Sequence, residues 1–251
     1  MKNLLALIVV LTMTIALSSC ASMGIFSGMD EWKERQKWME QKLIYSETEM
    51  IAKPEVLAPI KSIALLNIPN PHYYLPYRLE VGSTIVGKDT IKYKGFNFSA
   101  ITQQHLIEYL EANGYRVILL SVKRDRQYEL LDDYSQLNID DVDAFLDLAP
   151  VQIGFTINPW GWKGIHGSEL RPHMSVVVRL VSADSKKILY AESVQYGYNK
   201  NPFFDSTMID SPPDDSFDDA DTLISQNEKA IEQLVRGIDA ISHAIAERLE
   251  R

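Results

Sequence analysis

Three segments restrict the fold more than any other part of this 251-residue chain. Lys61-Ser-Ile-Ala-Leu-Leu-Asn-Ile68 is a short apolar run stopped by Pro69-Asn70-Pro71, the pattern of a strand buried on both faces. A helical pattern opens with Ser99 as N-cap and runs to about Asn113, placing Phe98, Ile101, Leu106, Tyr109 and Ala112 on one face. Asn113-Gly114 supplies a left-handed stop, and Tyr115-Arg-Val-Ile-Leu-Leu-Ser-Val122 follows at once as a second strand. Strand, helix and strand in that order predict a right-handed crossover between parallel strands.

The rest of the chain extends this unit. Asp140–Ala149 reads as a short helix with acidic residues in its first turn, ended by Pro150. Val151–Asn158 alternates as a third strand. His173–Ser182 and Lys187–Tyr198 are long strands joined by Ala183-Asp-Ser-Lys186, hence an antiparallel hairpin. From about Thr222 the residues Ile231, Leu234, Val235, Ile238, Ile241, Ile245 and Leu249 recur at helical spacing. Residues 72–97 fit either a small β-hairpin or a long excursion loop, and 123–139 is charged and without clear period. The expected fold is one α/β domain (an α+β mixed sheet) over 61–251, ordered β-α-β-α-β, β-hairpin, long C-terminal helix. An apolar content of 46% is enough for a core of that size. The net charge of −9 supplies no electrostatic footprint for nucleic acid or anionic lipid.

The first residues are of another kind. Met1-Lys2-Asn3 precedes a mainly apolar run from Leu4 to Leu17, too short to span a bilayer and closed by small residues, as in a secretory signal. Leu17-Ser18-Ser19-Cys20 resembles the lipobox of bacterial lipoproteins. The resemblance implies a diacylglyceryl group on the Cys20 sulfur, cleavage just before it and acylation, commonly palmitate, of the new amino group. It divides the chain into a signal peptide at 1–19, a lipid-anchored tether at 20–60 and a periplasmic domain at 61–251. Two or three acyl chains make a stable anchor where one is reversible. By the same resemblance Ala21, standing where Asp would favour inner-membrane retention, implies the periplasmic face of the outer membrane, with inner-membrane anchoring as the alternative. Cys20 is the only cysteine, so the domain can hold no internal disulfide and no cysteine-ligated metal. Within the tether, Trp32, Gln36, Met39 and Leu43 recur at helical spacing after Asp30 as N-cap, with Trp38 off the stripe. That element has three possible places: packed on the domain, at the lipid interface or on a partner.

Several phrases resemble a group of periplasmic α/β domains that includes the amino-terminal domain of TolB, the curli-secretion lipoprotein CsgG and lipoprotein activators of penicillin-binding proteins. They are Lys61-Ser-Ile-Ala-Leu-Leu-Asn-Ile, Leu110-Glu-Ala-Asn-Gly-Tyr-Arg-Val-Ile, Asp140-Asp-Val-Asp-Ala-Phe-Leu and Leu180-Val-Ser-Ala-Asp-Ser-Lys-Lys-Ile-Leu-Tyr190. The resemblance covers about residues 61–250 and implies a fold and a compartment. It transfers no site, because these families act through protein contacts that differ between members.

Signatures of catalysis are missing from the sequence. There is no Gly-x-Ser-x-Gly elbow, no His-Glu-x-x-His and no glycine-rich phosphate or dinucleotide loop. His166, Glu169 and His173 are too generic a set for a metal site, and no cofactor is expected. The acidic run Asp210–Asp221 lacks the glycine and distal glutamate of an EF-hand and reads as a solvated loop, with Asp221 or Thr222 capping the final helix. His105 sits within an apolar stripe, as a core or half-buried histidine does. The strongest interface candidates are Trp160 and Trp162, set among Gly161, Gly164 and Gly167, with Phe203 and Phe204 as a second part of the patch. The function expected is a non-enzymatic lipoprotein serving as accessory or assembly factor for an unidentified envelope protein. A cell-wall or glycan hydrolase using loop carboxylates, and a homo-oligomeric secretion-channel component, are the alternatives.

Overall fold

Alternating residues from Ala144 to Ile157 make one long strand, β5, and the rest of the domain is arranged along it. The computed structural model describes residues 53–69, 75–81, 84–85, 96–124, 129–157, 169–197 and 207–250. Pro54–Leu57 forms a single helical turn, α1, leading into β1 at Ser62–Leu66, whose residues are all buried as the apolar run predicts. Then come β2 (Leu75–Val81), β3 (Thr84–Ile85), α2 (Phe98–Ala112) and β4 (Arg116–Leu120). After β5 follow β6 (Leu170–Ser182), β7 (Ile188–Gly197), β8 (Thr207–Asp210), α3 (Ala220–Ser225) and α4 (Asn227–Arg248).

β1 and β4 are parallel, register Ile63 to Val117, and α2 connects them, so the expected crossover unit is present. β5 takes β1 in parallel at Ala144–Leu146 and β2 in parallel from Gly154 to Ile157. Its opposite edge pairs antiparallel with β6 along nearly its whole length. β6 and β7 form the predicted hairpin, and β8 adds in parallel to β7. The result is a mixed sheet of eight strands in a single α+β domain. Residues 75–85 resolve the earlier alternative in part: β2 and β3 are an antiparallel hairpin, and β2 belongs to the domain's own sheet.

One predicted element is corrected. Asp140–Ala149 is not a helix. Asp141 turns the chain at φ 62, and Ala144 onward is strand. Both faces of this stretch are buried, Leu146 and Leu148 on one side and Phe145 and Asp147 on the other, so the sequence is apolar almost throughout and its period of two is masked. Pro150, read as a helix stop, instead stands where the register with β6 shifts between Pro150 and Gln152, a bulge that tolerates a residue without an N–H.

Smaller adjustments concern helix ends. The N-cap of α2 is Asn97, whose side chain accepts from the Ala100 N–H at 3.1 Å, while the Ser99 hydroxyl donates to the Ile68 carbonyl. Its buried stripe is Phe98, Thr102, Leu106 and Leu110, rotated from the predicted face, and Ala112 is exposed. Gly114 takes the left-handed stop at φ 82. The C-terminal helix is two helices divided at Gln226, and Asp219 caps the first by accepting from Thr222 N–H at 2.7 Å. β8, inside the predicted loop, was not foreseen.

Every described helix lies on one face of the sheet. Leu57 of α1, Leu106 and Leu110 of α2, Leu223 of α3 and Leu234, Ile238, Ile241 and Ile245 of α4 join a single core with Ile63, Leu65, Leu146, Val176, Val178, Val194 and Tyr196. On the other face a second, smaller cluster packs Tyr134 and Val142 against Ala64, Leu66, Phe145 and Val181. Asp143 ties the starts of β1 and β5. Its Oδ2 accepts from the Lys61 N–H and Ser62 N–H at 2.8 Å and from the Ser62 hydroxyl at 2.9 Å. Burial opposes its charge, yet these donors together hold the carboxyl below its usual range.

α4 packs on the sheet through Gly237, where an added Cβ would fall 1.9 Å from Met174 Cε and 2.6 Å from the Tyr196 ring. Gly237→Ala should therefore lower stability by on the order of 1 kcal/mol in urea unfolding, because overpacking outweighs the ~1 kcal/mol that helix propensity favours. A gain in stability would show that α4 can retreat without cost.

Candidate functional site

Trp160, Trp162, Phe203, Phe204, His166 and Cys20 lie outside the described residues. The stems of their loops do not. β5 ends at Ile157 and β6 begins at Leu170, paired with each other, and Met174 of β6 pairs with Tyr196 near the end of β7. The loop with both tryptophans and the loop with both phenylalanines thus leave the sheet from one end. The topology brings together the two stems that the sequence reading had joined only by composition.

The far ends of β1 and β4 hold a second constellation. Arg124, just beyond β4, folds back across the end of β1 and reaches Asp147 of β5. Its Nη2 donates to Asp147 Oδ1 at 2.7 Å and to the Asn67 carbonyl at 2.8 Å, and its Nη1 donates to the Glu129 carbonyl at 2.7 Å. Asp147 Oδ2 accepts the Leu131 N–H at 2.8 Å and the Tyr134 hydroxyl at 2.9 Å. Asp147 is fully buried and Arg124 is 4% exposed. Burial and then the Asp147 charge push the Tyr134 phenol up, keeping it a neutral donor. Both oxygens of Asp147 are committed, so the group holds segment 129–137 on the sheet rather than moving a proton. The sequence reading missed this set. Its one signal was a lone aspartate inside the apolar run Ala144-Phe-Leu-Asp-Leu-Ala149, since a charge buried in a strand requires a counter-ion.

Outside this set opens a groove of about 480 Å³, whose lining is about equally apolar, with Leu120, Val122 and Leu137, and polar or charged, with Lys123, Asp133 and Gln136. The Ser135 hydroxyl and N–H, bonded to Asp133 at 2.7 and 2.8 Å, hold that carboxyl below its usual range. The groove sits at the C-terminal ends of parallel strands, where open α/β sheets offer a crevice. Its mixed lining suits contact with another surface.

His105 is half-buried, as its stripe predicted, and it does have a carboxylate partner. Asp239 of α4 lies 3.1 Å from its Nδ1. The Tyr109 hydroxyl donates to the same Asp239 oxygen at 2.7 Å, and His243 meets the Tyr109 ring edge-on at 5.1 Å. The partner is 134 positions away in sequence, which is why local reading could not find it. These groups clip α2 to α4. Among the described residues no group of three or more His, Cys, Asp or Glu side chains could hold a metal ion. In the acidic run, Asp215 is buried and accepts from Arg236 Nη1 at 2.7 and 2.9 Å, so its charge is spent within the fold.

No family model matches the chain, and no curated protein matches it. Among solved structures it is similar to the PelC dodecamer from Paraburkholderia phytofirmans, at 9% identity over 76% of this chain and 89% of that chain, TM-score 0.31. It is similar to lipoprotein GNA1162 from Neisseria meningitidis at 14% identity, 54% and 81% coverage and TM-score 0.30. Protein XCC0632 from Xanthomonas campestris is similar at 8% identity, 74% and 81% coverage and TM-score 0.39. At these identities and TM-scores the likenesses carry no argument about function or assembly.

Two outcomes follow from the geometry. Asp147→Ala leaves Arg124 charged and buried and should cost about 3–5 kcal/mol of unfolding free energy; a loss below about 1 kcal/mol would show that segment 129–137 is held by other contacts. The Tyr109 pKa is pushed up to about 12, first by its hydrogen bond to Asp239 and then by burial. Its bond therefore stabilises the fold fully below pH 10, the free phenol's value, and progressively less as pH rises through about 12. Thermal melts should fall over that window in the wild type and fall less in Tyr109→Phe.

Proposed function

We propose that this chain is a lipid-anchored lipoprotein of the bacterial envelope that works by protein contact, as an accessory or assembly factor, and not by catalysis. The observation that carries the reading is Leu17-Ser18-Ser19-Cys20, the chain's only cysteine placed directly after an apolar signal-like stretch. The fold supports it in a general way. A single α+β domain begins about forty residues after Cys20, and no described helix is long and apolar enough to cross a membrane. The buried carboxylates Asp147 and Asp215 are each held by an arginine, which leaves the loops and the groove beside β4 as the surfaces suited to binding. The domain faces the periplasm from the outer membrane, since Ala21 follows the cysteine. Its partner is an envelope protein met through the Trp160–Trp162 and Phe203–Phe204 loops, alone or as a homo-oligomer.

Growth with a clickable palmitate analogue tests the anchor. Wild-type protein should carry the label and sediment with membranes, whereas Cys20→Ala should lose both; label retained on the variant would refute lipidation at that sulfur. A photo-crosslinking amino acid at position 160 tests the contact, and the expected result is one discrete envelope protein captured in cells. A profile identical to that from exposed Ile224 would count against a binding loop there.

A further inference from the structure

The described helices all cover the front face of the sheet, and the second cluster backs only β4, β1, the first part of β5 and the turn ends of β6 and β7. Beyond it, the back face runs across Ala149 of β5, Val177 and Ser175 of β6, and Ser193 and Gln195 of β7. Their register is direct: Ala149 stands beside Val177, Val177 beside Ser193, and Ser175 beside Gln195. Mostly small side chains there form a shallow trough.

Two observations say that this face is covered. Ala149, Ser175, Ser193 and Gln195 are 1%, 8%, 5% and 4% exposed and Val177 between them is half-buried, although no described helix lies over them. The Ser193 hydroxyl, nine-tenths buried and pointing into the trough by strand alternation, has no hydrogen-bond partner. A buried hydroxyl left unpaired costs about 1–3 kcal/mol, so a polar group is owed to it.

Residues 30–43 have the pattern to fit it. They carry the stripe Trp32, Gln36, Met39 and Leu43, three bulky apolar side chains with an amide in the middle. On a partnerless apolar stripe that glutamine is out of place. Over a trough of Ala149 and Val177 interrupted by Ser175, Ser193 and Gln195 it has donors and acceptors to meet. A helix of that length is about 21 Å long and spans the four strands β5 to β8, about 14 Å across. The nine residues 44–52, about 30 Å at full extension, link this segment to Lys53 at the start of α1.

We propose that the back face of β5–β7 is the docking site of the chain's own segment 30–43, laid across it as a helix with Gln36 toward Ser193. Docking sets the reach of the domain. With 30–43 bound, only residues 21–29 separate Cys20 from the folded body, about 30 Å at full extension; with it released, residues 21–52 span about 110 Å. The proposal does not depend on lipidation of Cys20, and its test separates the two.

The test uses the full mature chain carrying Cys20→Ser, which removes the anchor and the native thiol. Met39→Cys with Ser193→Cys should give an intramolecular product with a short bismaleimide, and Met39→Cys with Leu119→Cys, on the far edge strand, should not. No intramolecular product, or equal product from both pairs, overturns the proposal. A product only between molecules assigns the face to a second copy and overturns it equally. Hydrogen exchange keeps the test independent of the cysteines: amides of 33–43 should exchange at least about tenfold more slowly in the otherwise unaltered chain than in Gln36→Arg. Equal exchange in the two would also refute docking.

Discussion

The hydrogen-bond ladder of β5 is the constraint on which the rest of the domain depends. One strand of 14 residues carries β1 and β2 on one edge and β6 on the other. Two parallel neighbours can share an edge only if the strand outruns each of them, and the shift at Pro150 keeps alternate side chains on the proper face after the extra residue. Leu146 and Leu148 before it, and Ile153 and Phe155 after it, enter the same core. Without that shift the second half would turn its apolar side chains toward the back of the sheet.

Charge inside the domain serves as fastening. Asp147 with Arg124 and Asp215 with Arg236 each join separate segments through both carboxylate oxygens, and at the surface Asp143 Oδ2 ties the start of β1 to that of β5. Among the described residues this leaves a groove of mixed polarity beside an edge strand, and the stems of the two aromatic loops side by side at one end of the sheet. The net charge of −9 keeps such surfaces soluble without directing them to a particular charged partner.

How much of this was legible in the sequence depended on whether the deciding interaction was local. The crossover unit was readable because Asn113-Gly114 ends a helix by backbone conformation alone, and because Ile63–Leu66 is apolar at every position. The hairpin of β6 and β7 was readable from its turn. The stretch at 140–149 was not, because a strand buried on both faces and a short helix share the same composition, and Pro150 ends one as readily as it bulges the other. Asp239 beside His105, and Arg124 beside Asp147, are tertiary pairings with no periodic trace. The aromatic loops were legible as composition only, and what the fold contributes is the adjacency of their stems.

The long sequence separations have a kinetic meaning. β1 cannot complete its pairing until residues 144–146, each 81 positions beyond its partner in Ile63–Leu65, are present, and the Tyr115 hydroxyl must wait for the Leu249 carbonyl, 134 positions on. Contacts of this range slow folding, because loop closure precedes any gain from the contact. α4 closes the front core with residues 227–248, so the unit of β1, α2 and β4 keeps that face open until a segment more than a hundred positions further along the chain has docked. Folding of this domain is thus governed by the closure of long loops rather than by the local stability of its first unit.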